Sequence, residues 1–232
     1  MISQIILVTF LLMAPAAAHS DVVGGWETTA ADGRKGAAIF TDKHFSIAWY
    51  EKDKFVSTEG GGWSRGDDGA LKLKYEFHTA KPDLVGTEAT VPAKLSGETL
   101  TAGDTSWKRV DDGTPGDLEG AWLMTGARRE GEIRTRTPGA RRTMKILSGK
   151  RFQWIAYNVE TKEFFGTGGG TYTTKDGKYT ENIEFFSRDN AKSGLSLEFR
   201  YSLIDGAWHH DGNNSRGEPM YEVWSTRESV GI

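Results

Sequence analysis

An internal repeat constrains this chain more than any other feature. Gly24-Gly25-Trp26-Glu27-Thr28-Thr29 returns as Gly120-Ala121-Trp122-Leu123-Met124-Thr125. Ile39-Phe40-Thr41-Asp42-Lys43-His44-Phe45 returns as Ile146-Leu147-Ser148-Gly149-Lys150-Arg151-Phe152, and Gly60-Gly61-Gly62 returns as Gly168-Gly169-Gly170. Asp68-Gly69 and Asp176-Gly177 each precede a run ending in Glu-Phe, at Glu76-Phe77 and Glu184-Phe185. Trp107 and Trp224 come last, each just ahead of a basic residue, Arg109 and Arg227. Matches that keep their order over such a span mean two copies of one supersecondary plan. The spacing between matched positions widens along the chain. Insertions are therefore expected between Trp122 and Ile146 and between Trp208 and Tyr221. The copies meet at Asp111-Asp112-Gly113-Thr114-Pro115-Gly116-Asp117, which is too polar and too rich in Gly and Pro for a strand interior. This divides the chain into unit 1 at 19–111, a linker at 112–117 and unit 2 at 118–232.

Both copies read as β structure. Short runs of aromatic and β-branched residues alternate with polar ones and are punctuated by Gly, Asp and Asn. Beyond the first residues no stretch carries a helical period. In unit 2 strands are expected near 120–127, 142–148, 151–158, 163–173, 178–187, 194–204, 207–212 and 219–227. Ser148-Gly149-Lys150, Lys175-Asp176-Gly177 and Ile204-Asp205-Gly206 supply the turns. Leu195, Leu197, Phe199, Tyr201 and Leu203 alternate with polar neighbours, as in a wall with one solvated face. Eight antiparallel strands in a meander leave no open edge when they close into a barrel. The expected fold is therefore all-β, with two tandem small antiparallel up-and-down barrels. The Gly triplets sit inside strands with no following helix, so they read as bends or bulges rather than phosphate loops.

Residues 4–18 form an uncharged apolar run ending in small side chains, with Ala16 and Ala18 placed for cleavage before His19. That is the pattern of a signal peptide (1–18) and is too short for a bilayer span. A secreted or periplasmic protein with no integral membrane segment in its mature form is expected. The chain has no cysteine, which excludes disulfides, thiol catalysis and Cys-ligated zinc. A net charge of −3 gives no reason to expect nucleic acid as a partner.

A Gly-x-Trp on the first strand, a meander of about eight strands and a basic residue on the last strand together resemble the lipocalin (calycin) superfamily. Phe152-Gln153-Trp154-Ile155-Ala156-Tyr157 and Gly166-Thr167-Gly168-Gly169-Gly170 make unit 2 similar to lipocalin-like domains of uncharacterised secreted bacterial proteins. The resemblance implies that Arg109 packs over Trp26, and Arg227 over Trp122, to close each barrel bottom. It also implies a ligand site in the open mouth, under the loop joining the first two strands.

In unit 2 that loop, 127–142, carries six Arg against two Glu. Arg forks suit anionic groups, so Arg128, Arg129, Arg141 and Arg142 are candidate contacts for an anionic ligand end. Trp154, Tyr172 and Tyr201 either line a cavity or fill a core. Glu181 replaces Leu73 of unit 1, in phase with Tyr179, Ile183 and Phe185. A carboxylate among inward apolar groups is costly unless it is paired or functional. His209 and His210 are adjacent on a strand, so they face opposite ways and cannot chelate one metal together. His209, near Glu222, is the candidate for the cavity. No spacing supports a metal site or a cofactor.

The expectation is a binding protein that holds a small hydrophobic or amphipathic ligand in the second barrel. The alternatives are a barrel enzyme (isomerase, cyclase or hydrolase) using Glu/His acid–base chemistry, and a pocketless module that recognises protein or glycan.

Overall fold

A computed structural model describes residues 21–232 except Asp53 and Pro115. The expected signal peptide and its cleavage point lie outside the described residues. In unit 1 the strands are β1 (Gly24–Thr29), β2 (Lys35–Phe40), β3 (His44–Glu51), β4 (Lys54–Arg65), β5 (Leu71–His78), β6 (Glu88–Val91), β7 (Ala93–Ser96), β8 (Thr99–Ala102) and β9 (Thr105–Asp111). In unit 2 they are β10 (Gly120–Arg129), β11 (Glu132–Thr135), β12 (Arg141–Leu147), β13 (Arg151–Asn158), β14 (Phe164–Lys175), β15 (Lys178–Phe186), β16 (Ser196–Ile204), β17 (Ala207–Asn213) and β18 (Pro219–Thr226).

The fold is all-β, with two antiparallel barrel-shaped sheets rather than one fused barrel. In unit 2, pairing of β10 with β18 closes eight strands into a ring, and β11 stands outside it. Unit 1 is nearly closed. Its β1 pairs with β9, but a single residue, Pro92, splits what is one strand (β16) in unit 2. β6 pairs with β5, and β7 with β8, so the wall turns from one neighbour to the other at the residue that has no N–H to donate. The bottoms are alike. Trp26 Nε1 donates to the Val22 carbonyl and Trp122 Nε1 to the Leu118 carbonyl, each at 2.9 Å.

The Gly runs are bulges. The register slips between Gly60 and Gly61 opposite β5, and between Gly169 and Gly170 opposite β15. Gly60-Gly61 therefore correspond to Gly169-Gly170, one residue off the sequence match. The strands approach so closely that a Cβ on Gly61 would lie 2.1 Å from the Lys74 carbonyl oxygen, and one on Gly170 2.0 Å from that of Asn182. The residues passed over are Glu76 and Glu184. An extra residue reverses the in–out phase of a strand. Tyr75 and Ile183 belong to the barrel interiors, but Phe77 and Phe185 point out and pack between the barrels.

That exchange builds the contact between the units, and the contact is reciprocal. Tyr50 of unit 1 donates to Glu184 (2.7 Å) and packs at a tilt against Phe185, with ring centroids 5.0 Å apart. Its repeat mate Tyr157 donates to Glu76 (2.6 Å) and packs at a tilt against Phe77 at the same 5.0 Å. Such i-to-j and j-to-i pairing is the mark of two-fold packing. Gln153 sits between the mates Thr58 and Thr167 and donates to both, at 2.8 and 3.0 Å. Because these strands are buried on both faces, they read as continuous apolar runs such as Ala37-Ala38-Ile39-Phe40. Asp111, in the join, fastens the two bottoms. Its carboxylate accepts from Gly25 and Gly113 N–H on one side, and from Ser148 Oγ and the Gly149 and Lys150 N–H groups on the other.

Only one of the two expected closing arginines closes a barrel. Arg109 lies 4.2 Å from the Trp26 ring, cross-strand from it. Arg227 does not cover Trp122, whose cross-strand partner is Thr226. Arg109 is two residues past its Trp and Arg227 is three past, so they leave opposite faces of their strands. Arg227 points into the interface and forks onto Glu76 at 2.6 and 2.9 Å. Arg142 joins the same carboxylate at 3.1 Å.

Two predictions follow from the bulges and the interface. Gly170→Ala should cost more than about 2 kcal/mol in urea unfolding, because its Cβ meets fixed backbone. Gly62→Ala, with nothing nearer than 3.8 Å, should stay within roughly 1 kcal/mol. Acid sensitivity should arise at Glu76 and His44. Burial alone would raise the Glu76 carboxyl, but the Arg227 fork, Tyr157 and Arg142 override it and hold it at about 2, against an ordinary 4.5. Burial, helped by the Arg227 charge, lowers His44 from 6.5 to about 4. Both groups take up protons more readily in the unfolded chain. Stability should therefore be full above pH 6.5, fall first as pH drops toward 4, and fall further toward pH 2. Glu76→Ala, which strands a buried Arg227, should cost about 3–5 kcal/mol at neutral pH and remove the lower-pH part of that loss.

Candidate cavity of the second barrel

Unit 2 encloses a cavity of about 480 Å3. Trp122, Trp208, Tyr172 and Phe152 fill the barrel below it, and the Tyr172 hydroxyl donates to the Ser148 carbonyl in the β12–β13 turn. The apolar wall is formed by Met124, Trp154, Ile183, Phe186, Leu197 and Met220. The rim comes from two connections: Arg188, Asp189 and Lys192 between β15 and β16, and Asn214, Ser215 and Arg216 between β17 and β18.

The floor is polar. Lys145 on β12 and Glu181 on β15 form an ion pair at 2.7 Å, each side chain only 5% exposed. The Lys145 ammonium also lies 4.9–5.8 Å from the ring centroids of Tyr179, Phe199, Trp208 and Trp224. Such a ring cluster stabilises a desolvated cation through its negative faces. Tyr179 is buried next to Glu181, and its hydroxyl is held protonated, chiefly by burial and then by that carboxylate.

His210 on β17 is almost fully buried, and neither ring nitrogen has a hydrogen-bond partner. Burial, followed by the Lys145 charge, pushes it well below the ordinary histidine range, so it is neutral. Glu222 on β18 places Oε2 3.5 Å from His210 Nδ1 and accepts from Trp224 Nε1 at 3.2 Å. Burial raises its carboxyl, against the opposing influence of Lys145, Trp224 and Arg129.

Unit 1 has the same frame with different contents. Cross-strand register equates Ala38 with Lys145, Leu73 with Glu181, Ala102 with His210 and Thr105 with Glu222. It also equates Trp49 with Ala156. Trp49 projects onto Trp107, 5.5 Å between centroids, and occupies the space that Ala156 leaves open in unit 2.

Of the residues singled out from sequence, Trp154, Glu181 and Glu222 line the cavity. The others lie elsewhere. Tyr172 is part of the closed bottom, and Tyr201 donates to Asp117 on the outside. His209 faces outward onto the Tyr221 hydroxyl at 2.7 Å, and the inward residue is His210. Residues 127–142 are not a loose loop. β10 runs on to Arg129, turns at Glu130-Gly131 and returns as β11. There Arg128 lies over the Tyr221 ring, Arg141 over Phe165, and Arg142 is committed to Glu76. Arg129 reaches the site only through its charge on Glu222.

Lys145, His210 and the rim cations Arg188, Lys192 and Arg216 were missed. Two of these had a signal. The comparison that set Glu181 against Leu73 also sets Lys145 against Ala38, and a strand that buries Trp208 must bury His210 two residues on. Among the described residues no group of three or more His, Asp or Glu could hold a metal ion, and no helix is long and apolar enough to cross a membrane.

Residues 117–227 match the family described as a domain of unknown function (DUF4488). The matched stretch contains every residue that lines the cavity and stops short of unit 1. No curated protein matches the chain.

Proposed function

We propose that this is a secreted or periplasmic binding protein whose second, lipocalin-like barrel holds a small amphipathic ligand, with the first barrel as its structural partner. The observation that carries the reading is the cavity of about 480 Å3, mostly apolar along its walls, where Thr143 is the polar exception, and polar at its floor and rim. Ligand pockets run to about 300–1,000 Å3, with a few placed polar groups among hydrophobic ones. The meander of eight strands, the Trp at the closed end and the opening at the other end support the lipocalin likeness. The apolar run at 4–18 supports the secreted location. Arg188 and Lys192, two basic residues on the β15–β16 connection, favour an anionic group at the rim.

Unit 1 indicates how to block the site. Anilinonaphthalene sulfonate, an aromatic anion that brightens in apolar surroundings, should bind the mature protein saturably at one site. Ala156→Trp copies the plug at Trp49. The indole would fill space the dye needs, so dye affinity should drop at least about tenfold, a loss of about 1.4 kcal/mol in binding, while the melting temperature holds. Absence of saturable uptake by the unaltered protein would overturn the reading.

A further inference from the structure

The cavity floor specifies what kind of group can reach it. Lys145 and Glu181 cancel each other at 2.7 Å, and both are sealed from solvent. His210 is buried with both ring nitrogens unpartnered. Glu222 alone of the four is reachable, with its side chain one-fifth exposed while that of His210 is 1% exposed. Its Oε2 is engaged by Trp224, and Oε1 has no protein partner among the described residues. An anion brought into this ring of Tyr179, Phe199 and Trp224 would meet an already neutralised pair and the Glu222 carboxyl, and find no counter-ion. Burying an ion without a partner is far more costly than burying a hydroxyl that gains a hydrogen bond.

Building on the binding role above, we infer that the cavity selects ligands whose buried end carries an uncharged oxygen, a hydroxyl or a carbonyl, held by the Glu222 carboxyl with Trp224 positioning it. An anionic group belongs at the rim, beside Arg188 and Lys192. The ligand class is thus an amphipathic molecule with an apolar body, a neutral oxygen at one end and an anion at the other. The buried position of Glu222 supports this, because it favours the protonated carboxyl, which can donate to a carbonyl or accept from a hydroxyl. The neutral His210 supports it too, since it adds no charge to the floor.

The test is displacement of anilinonaphthalene sulfonate from the mature protein by three ten-carbon probes. 10-Hydroxydecanoate, decanoate and decanedioate share a carboxylate and differ only at the far end. 10-Hydroxydecanoate should displace the dye at concentrations at least about tenfold lower than the diacid, the scale on which a polar site rejects a mismatched group. It should also outbind decanoate. That margin should vanish in Glu222→Leu and persist in Glu222→Gln, which keeps a neutral donor and acceptor in place. Equal displacement by decanedioate would overturn the inference, as would a hydroxyl preference that survives Glu222→Leu. Dye binding with no displacement by any probe overturns it as well and leaves the binding role standing. Failure of the dye itself to bind removes both.

Discussion

Two pairs of strands approach more closely than any side chain allows, and the arrangement of the molecule follows from that. At Gly60-Gly61 and Gly169-Gly170 the facing backbone occupies the place of a Cβ. The opposing strands each carry one extra residue there, Glu76 and Glu184. The pleat then reverses, and two phenylalanines that period-two alternation would send inward emerge on the outside. An exposed Phe beside a Glu would be a liability on a lone barrel. Here each Phe meets a Tyr from the other barrel, and each Glu receives that Tyr's hydroxyl. The bulge that bends a barrel wall therefore also creates the surface by which the barrels recognise each other.

Within this shared frame the second barrel has taken on a costly interior. A buried ion pair is weak evidence for stability, since well-packed apolar residues of similar volume often do as well or better. Unit 1 shows that alternative, with Ala38 and Leu73 at the corresponding positions. Keeping Lys145 and Glu181 in unit 2, with an unpartnered imidazole next to them, is better explained by what enters the cavity than by the fold's own needs. The rings around Lys145 fit this view. They make the charge tolerable where it stands and leave Glu222 as the floor's one accessible polar group.

Much of this was legible in the sequence, and the failures have physical causes. The strands of unit 2 could be read because Gly, Asp and Asn turns are local signals. Glu181 was read as inward because alternation from Tyr179 holds up to the bulge. Arg227 was misassigned because Trp-plus-two and Trp-plus-three look alike in a string, yet leave opposite faces of a strand. His209 and His210 were exchanged for the same reason. The arginines of 127–142 were read as ligand contacts because a run of like charge does not show its partners. Arg142 meets Glu76, far away in the chain, only once the barrels dock. The interface itself was invisible because both of its defining residues sit where the period breaks.

The reciprocal contact has a further consequence because both halves belong to one chain. In a homodimer this surface would be occupied only above some protein concentration, and every substitution would appear twice. Here the short tether held by Asp111 keeps the partner at a high effective concentration, so the assembly does not come apart on dilution. The halves are also free to differ across the axis. Gln153 bridges both threonines, while the buried hydroxyl of its mate Ser46 has no hydrogen-bond partner. That freedom allows one barrel to be plugged with a tryptophan while the other stays hollow.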